Sequence, residues 1–176
     1  LKNIVESNNA VDVVIKLVNS LTISENHTMP IATIVFEFQK DSTKFDFGSN
    51  LLAIEGGTSI KYTKANPAFL NQVVCGGSYA NAFVVSDEIF KYKDISIEFD
   101  NVDVNMSGKN LLLNNNRPML NLTVASIGSV FAVGNVLNVN NRGVYNTLNL
   151  NVHATTTNIT ANVGGAESSK AKVVAF

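Results

Sequence analysis

The sequence has no tryptophan, one cysteine, three prolines and an unusually small share of charged residues, 15% of 176. Each shortage excludes something. With Cys75 as the only cysteine, no intramolecular disulfide forms and no disulfide framework reports a compartment. A catalytic role for that thiol needs a base, and His27 and His153 are the only histidines. Beside Gly76 and Gly77, Cys75 reads as a small buried hydrophobe. A net charge of −1 with no cluster of Lys or Arg lacks the electrostatic footprint of a nucleic-acid binder, so no DNA or RNA partner is expected. Without Trp, the flat rings on which sugars stack are reduced to Tyr62, Tyr79, Tyr92 and Tyr145.

The signatures of catalysis are missing as well. There is no Gly-x-Ser-x-Gly elbow, no phosphate loop and no His-Glu-x-x-His helix. The acids Asp87 with Glu88, and Asp100 with Asp103, are close only in sequence, which is not the arrangement of a glycosidase pair. Asp103-x-Asn105-x-Ser107-Gly108 matches the opening half of a calcium loop, but its twelfth position is Asn114 rather than a bidentate Glu. The same small polar residues serve a hairpin turn, and no second ligand accompanies His153. The expectation is a protein that is not an enzyme and has no cofactor and no intrinsic metal. The charge-free stretch Met119 to Val139 is interrupted by Asn121, Thr123, Ser126, Ser129, Asn135 and Asn138, so buried strands are expected there and no membrane span.

What is present is alternation. Val11, Val13, Ile15, Leu17, Leu21 and Ile23 fall on one face of an extended N-terminal segment, against Asp12, Lys16, Ser20 and Thr22 on the other. Further strands are expected at 31–38, 44–47, 50–54, 59–63, 83–85, 95–99, 111–113 and 148–152, with a bulge near Asp100 and Asn101 where the apolar parity changes. Gly48, Gly56–Gly57 and Ser107–Asn110 read as turns, the last as a hairpin loop, and Asn141–Gly143 as another. Asn66-Pro67 ahead of Ala68, Phe69, Leu70, Val73 and Val74 reads as a capped short helix near 67–74. No fixed repeat suggests a solenoid or propeller. The fold expected from this pattern is all-β, an antiparallel β-sandwich or jelly-roll-like barrel with that one helix. Residues 1–23 form an N-terminal strand able to be donated to a neighbouring subunit, and 24–176 a single β domain.

Two surface features bear on function. Asn26, Asn105, Asn121 and Asn158 are candidate glycosylation sites, in a number that the composition alone would produce. From Pro118 to Ala166 the only charged residue is Arg142, among recurrent Asn. Such a stretch lacks the charges that keep strand edges from pairing with other chains, and copies of itself are the expected partner. The assembly strand is then Val11, Val13, Ile15, Leu17, Leu21 and Ile23, seated on a sheet edge of the next subunit. The chain begins at Leu1 rather than Met, and removal of a leader would place it outside the cytoplasm. The resulting expectation is a self-assembling structural subunit of an extracellular or cell-surface filament. A capsid or tube subunit of a virion is the alternative, and a ligand-binding or adhesive module is the third.

Overall fold

The computed structural model describes residues 12–78, 80–85, 94–114, 120–139, 146–153, 159–160, 163–164 and 171–175. The chain coils through six three-stranded turns, or rungs, and begins a seventh. Rung 1 is β1 (Asp12–Leu17), β2 (Leu21–Thr22) and β3 (His27–Thr28); rung 2 is β4 (Thr33–Phe38), β5 (Lys44–Asp46) and β6 (Leu52–Ile54). Rung 3 is β7 (Ser59–Lys64), β8 (Gln72–Val74) and β9 (Asn81–Val85); rung 4 is β10 (Ile95–Phe99), β11 (Asp103–Asn105) and β12 (Asn110–Asn114). Rung 5 is β13 (Leu120–Ser126), β14 (Phe131–Ala132) and β15 (Leu137–Val139); rung 6 is β16 (Asn146–Val152), β17 (Ile159–Thr160) and β18 (Val163–Gly164). β19 (Ala171–Ala175) opens rung 7.

Every third strand pairs in parallel with its equivalent one rung away, giving a seven-stranded sheet A (β1-β4-β7-β10-β13-β16-β19) and two six-stranded sheets, B and C. The protein is a three-faced parallel β-solenoid. Side chains of alternating parity therefore line up along the axis instead of facing a second sheet. In sheet A one inward row is Val13, Ile34, Ile60, Ile97, Val124 and Leu150, and the next is Ile15, Phe36, Tyr62, Phe99, Ser126 and Val152. Tyr62 stacks on Phe36 at 5.0 Å and on Phe99 at 5.4 Å between ring centroids, and Phe45 of sheet B meets both Phe36 and Tyr62 edge-on. Sheets B and C close the core with Phe45, Val73, Val104 and Phe131, and with Leu52, Phe83, Leu112 and Leu137, all buried.

The corner between sheets B and C is built from Gly and Asn. Gly48, Gly77, Gly108 and Gly134 each precede an asparagine, at 50, 81, 110 and 135. Asn135 Nδ2 donates to Asn110 Oδ1 at 2.7 Å, and Asn110 Nδ2 donates to Asn81 Oδ1 at 2.9 Å. This is a ladder of the kind that in-register stacking of amide side chains permits. A Cβ on Gly77 would lie 1.9 Å from the Gly48 carbonyl oxygen, and one on Gly134 would lie 2.1 Å from that of Gly108. Elsewhere polar side chains tie one rung to the next rung's backbone. Ser20 Oγ accepts from Lys44 N, Asn26 Oδ1 from Leu51 N, Asp41 Oδ1 from Leu70 N, and Asp103 Oδ1 from Ser129 N and Val130 N.

The all-β character expected from the alternation is present, but the antiparallel sandwich or barrel is not: among the described residues every strand pair is parallel. Alternation reports one buried and one solvated face, which an antiparallel sandwich and a solenoid face share. The expected helix at 67–74 is also absent. Asn66 Oδ1 accepts from Ala68 N and Asn66 O accepts from Phe69 N, closing a turn, and Gln72–Val74 is strand β8. An Asn side chain can bond the backbone ahead of it in a turn as readily as at a helix cap. Among the described residues there is no helix. The parity change after Asp100 is the corner between sheets A and B, with Asn101 at φ 57°, rather than a bulge. The Ser107–Asn110 turn joins strands of different sheets and is not a hairpin. The turn at 141–143 lies outside the described residues.

A repeat does exist, contrary to the reading of the sequence. Its length varies: the equivalent positions Asp12, Thr33, Ser59, Ser96, Thr123, Asn149 and Val174 are separated by 21, 26, 37, 27, 26 and 25 residues.

Two substitutions test this packing. Gly77→Ala forces a Cβ into the Gly48 carbonyl and should cost about 1–3 kcal/mol in chemical denaturation, whereas Gly76→Ala, with nothing within 4 Å of the added atom, should be near neutral. Tyr62 is fully buried with its hydroxyl unpartnered, and burial pushes its pKa well above the ordinary value. Tyr62→Phe removes that unsatisfied group and should stabilise the fold by about 1 kcal/mol.

Candidate functional site

The residues expected to form an assembly strand fall in rung 1, the first layer of the solenoid. Val13 and Ile15 pack against the core, Leu17 and Ile23 are buried, and Leu21 is 37% exposed at the end of sheet B. Val11 lies outside the described residues. The segment is not one continuous strand: a corner at 18–20 divides it into β1 and β2. β1 pairs with β4 over its full length, Asp12 opposite Thr33 through Leu17 opposite Phe38.

That pairing fixes which backbone groups face outward. Gln39 N donates to Leu17 O, so Leu17 points its backbone groups toward β4. In a parallel strand successive residues bond to opposite sides, so Val13 and Ile15 also bond to β4. Asp12, Val14 and Lys16 then direct their N–H and C=O groups away from it. β1, β2 and β3 are the terminal strands of their sheets among the described residues. Inside the ring they form lies a mainly apolar mouth of about 390 Å³, walled by Ile15, Leu21, Ile23 and Met29 and floored by Phe36 and Phe45. Val14 and Val18, more than half exposed, stand on the outer side of the same end.

The remaining candidates are scattered. Cys75 is buried in rung 3, and burial pushes its thiol pKa up, away from the reactive thiolate. His27 and His153 are exposed and belong to rungs 1 and 6. Neither pairs with Cys75, since His27 is two rungs away, roughly 10 Å at the inter-strand spacing. Asp103 and Asn105 sit in strand β11, where Asp103 Oδ1 is occupied by two backbone N–H groups and Asn105 Oδ1 by that of Ser107. Among the described residues no three His, Cys, Asp or Glu are grouped to hold a metal, and no helix is long and apolar enough to cross a membrane. Of the glycosylation candidates, Asn26, Asn105 and Asn121 are exposed. Asn158 lies outside the described residues.

One charged group was not anticipated. On the outer face of sheet A, Lys61 Nζ lies 2.9 Å from Glu98 Oε1 and 3.0 Å from Asp100 Oδ2, and Thr63 Oγ1 donates to Asp100 Oδ2 at 3.2 Å. Only the in-register pairing of Lys61 with Glu98 brings these residues together, so the parallel register was the missing signal. With both carboxylates engaged by one ammonium, the arrangement is a partly solvated ion-pair network across two rungs.

Comparison with protein-family models, with curated proteins and with solved structures finds no match to this chain in any of the three.

Burial alone lowers the Lys61 pKa, but its hydrogen bonds to Glu98 and Asp100 outweigh that and raise it above the ordinary 10.5. The network's contribution is therefore fully present below pH 10.5 and is lost as pH rises through the raised value. Lys61→Met should cost less than about 1 kcal/mol at neutral pH, given its solvent exposure, and stability curves of parent and variant should converge at strongly alkaline pH.

Proposed function

We propose that the chain is a non-enzymatic structural subunit that assembles into an extracellular filament or appendage by strand pairing between copies. The observation that carries this reading is the N-terminal end: three strands, one on each face of the solenoid, each with one edge unpaired among the described residues, set around an apolar mouth. An exposed sheet edge is a template for another strand. Three such edges around an apolar opening suit a partner of one particular shape, another rung of the same solenoid. At the other end β17 and β18 of rung 6 and β19 of rung 7 are the last described strands of sheets B, C and A, each in register with the strand beneath it. Seating that end on the mouth would extend the parallel ladders and cover the apolar opening. Because the two surfaces differ, the contact is heterologous, and repetition gives an open fibre.

The sequence adds to this reading: from Pro118 to Ala166 Arg142 is the only charged residue, and strands there lack the charges that keep edges from pairing with other chains.

The test exploits the two sides of β1. Val14 turns its N–H away from β4, so Val14→Pro removes a donor needed by an incoming strand and none needed by the chain's own sheet; proline is tolerated there on an edge strand. Parent protein is expected to form fibres in negative-stain microscopy, and Val14→Pro to stay monomeric by analytical ultracentrifugation with its melting temperature nearly unchanged. Assembly unaffected by Val14→Pro, or a parent monomeric at every concentration, refutes the proposal.

A further inference from the structure

Inward positions of the solenoid form columns of equivalents one rung apart, and one of these columns ends on an ionisable side chain. His27 of β3 lies opposite Leu52, and from Leu52 the column continues through Phe83, Leu112, Leu137 and Val163 in sheet C. Leu52, Phe83, Leu112 and Leu137 are all buried. The inward positions of rung 1 in the other two sheets are apolar as well: Val13 and Ile15 opposite Ile34 and Phe36 in sheet A, and Leu21 opposite Phe45 in sheet B. His27 therefore occupies a core position, yet its side chain is 49% exposed, because it stands in the mouth on the terminal described strand of sheet C.

The groups around it carry little charge. Among the residues lining the mouth, His27 is the only ionisable one. The strand packed against β3 is β6, Leu52–Ile54, which has no charged residue, and Glu55 comes three residues after Leu52, roughly 10 Å along an extended chain. β2 holds none, and Asp12 and Lys16 of β1 alternate with the inward Val13 and Ile15 and so belong to the outer face. On the preceding loop Glu25 Oε1 lies 3.9 Å from His27 Nε2, but that carboxylate is 75% exposed, so its attraction for an imidazolium is screened by water. Of the strands at the opposite end, β17 and β18 hold no charged residue, and Lys172 of β19 belongs to sheet A.

We propose that His27 makes end-to-end assembly conditional on pH: subunits join while the imidazole is neutral and part when it is protonated. The inference rests on the stacking reading above. Histidine is the side chain whose charge changes between about pH 5 and pH 8. Seating a second copy on the mouth would take His27 out of water and leave it among apolar neighbours. A neutral ring has one donor and one acceptor to satisfy there, whereas an imidazolium gives up the hydration of a charge with only the solvated Glu25 in return. The free subunit therefore holds a proton that the joined one releases, so association weakens as pH falls, by up to about tenfold per unit below the titration of the free ring. Leucine, which fills this column at Leu52, Leu112 and Leu137, would leave an end that associates at every pH.

The test measures the critical concentration for fibre formation by sedimentation at about pH 8 and about pH 5 in the parent, His27→Gln, His27→Leu and His153→Gln. His27→Gln keeps a neutral polar side chain, and His27→Leu repeats the residue of the rungs below, so the fold survives in at least one of them, as melting temperatures will show. Acidification is expected to raise the parent's critical concentration by about tenfold or more and to disperse fibres already formed. Both His27 variants are expected to polymerise with less than about threefold difference between the two conditions, and His153→Gln, altered at the other histidine, to follow the parent. Fibres equally stable at both pH values, a pH dependence that survives in the folded His27 variants, or one that disappears in His153→Gln overturns the switch and leaves the assembly reading standing. A parent that stays monomeric under both conditions overturns the assembly reading and the switch with it.

Discussion

The spacing between rungs, set at about 4.8 Å by the backbone hydrogen bonds of parallel strands, is the constraint on which the rest of this protein depends. Once each residue is held that far above its equivalent, side chains have no freedom to choose partners: like stacks on like. Aromatic rings land on aromatic rings at Phe36, Tyr62 and Phe99, amides land on amides at the B–C corner, and glycine is required where one backbone passes under another at Gly77 and Gly134. Loops of quite different length are accommodated because they leave the stack and return to it in register. The cross-rung bonds from Ser20, Asn26, Asp41 and Asp103 satisfy loop N–H groups that strand pairing does not reach.

Much of the strand content was legible in the sequence. The segments 95–99 and 59–63 were placed from alternation and agree with β10 and, within a residue, with β7. What alternation does not encode is the neighbour. Ile97 alternating with Ser96 and Glu98 says that one face is buried, but nothing about whether Ile60 or some antiparallel partner lies beside it. The repeat was hidden by its variable length, 21 to 37 residues between equivalent positions. Its signal was nevertheless there in Gly48–Asn50, Gly77–Asn81, Gly108–Asn110 and Gly134–Asn135, each followed by an apolar run. Aligning the chain on those corners rather than on a constant period would have exposed it.

The candidate sites divide along the same line. Rung 1 was singled out by its apolar face, and Val13, Ile15, Leu17 and Ile23 do point inward. The Lys61 network was invisible because it joins residues 37 or more positions apart, and the place of His27 because only its register with Leu52 sets it in an inward column.

The asparagine ladder has a direction. Its two hydrogen bonds both donate toward the N-terminal end, from Asn135 Nδ2 to Asn110 Oδ1 and from Asn110 Nδ2 to Asn81 Oδ1. Such a chain of amides is a polarised wire, in which every hydrogen bond strengthens its neighbours and whose two tips are chemically unlike. The solenoid axis is therefore polar at this corner: an amide nitrogen heads the ladder in one direction and an amide oxygen in the other.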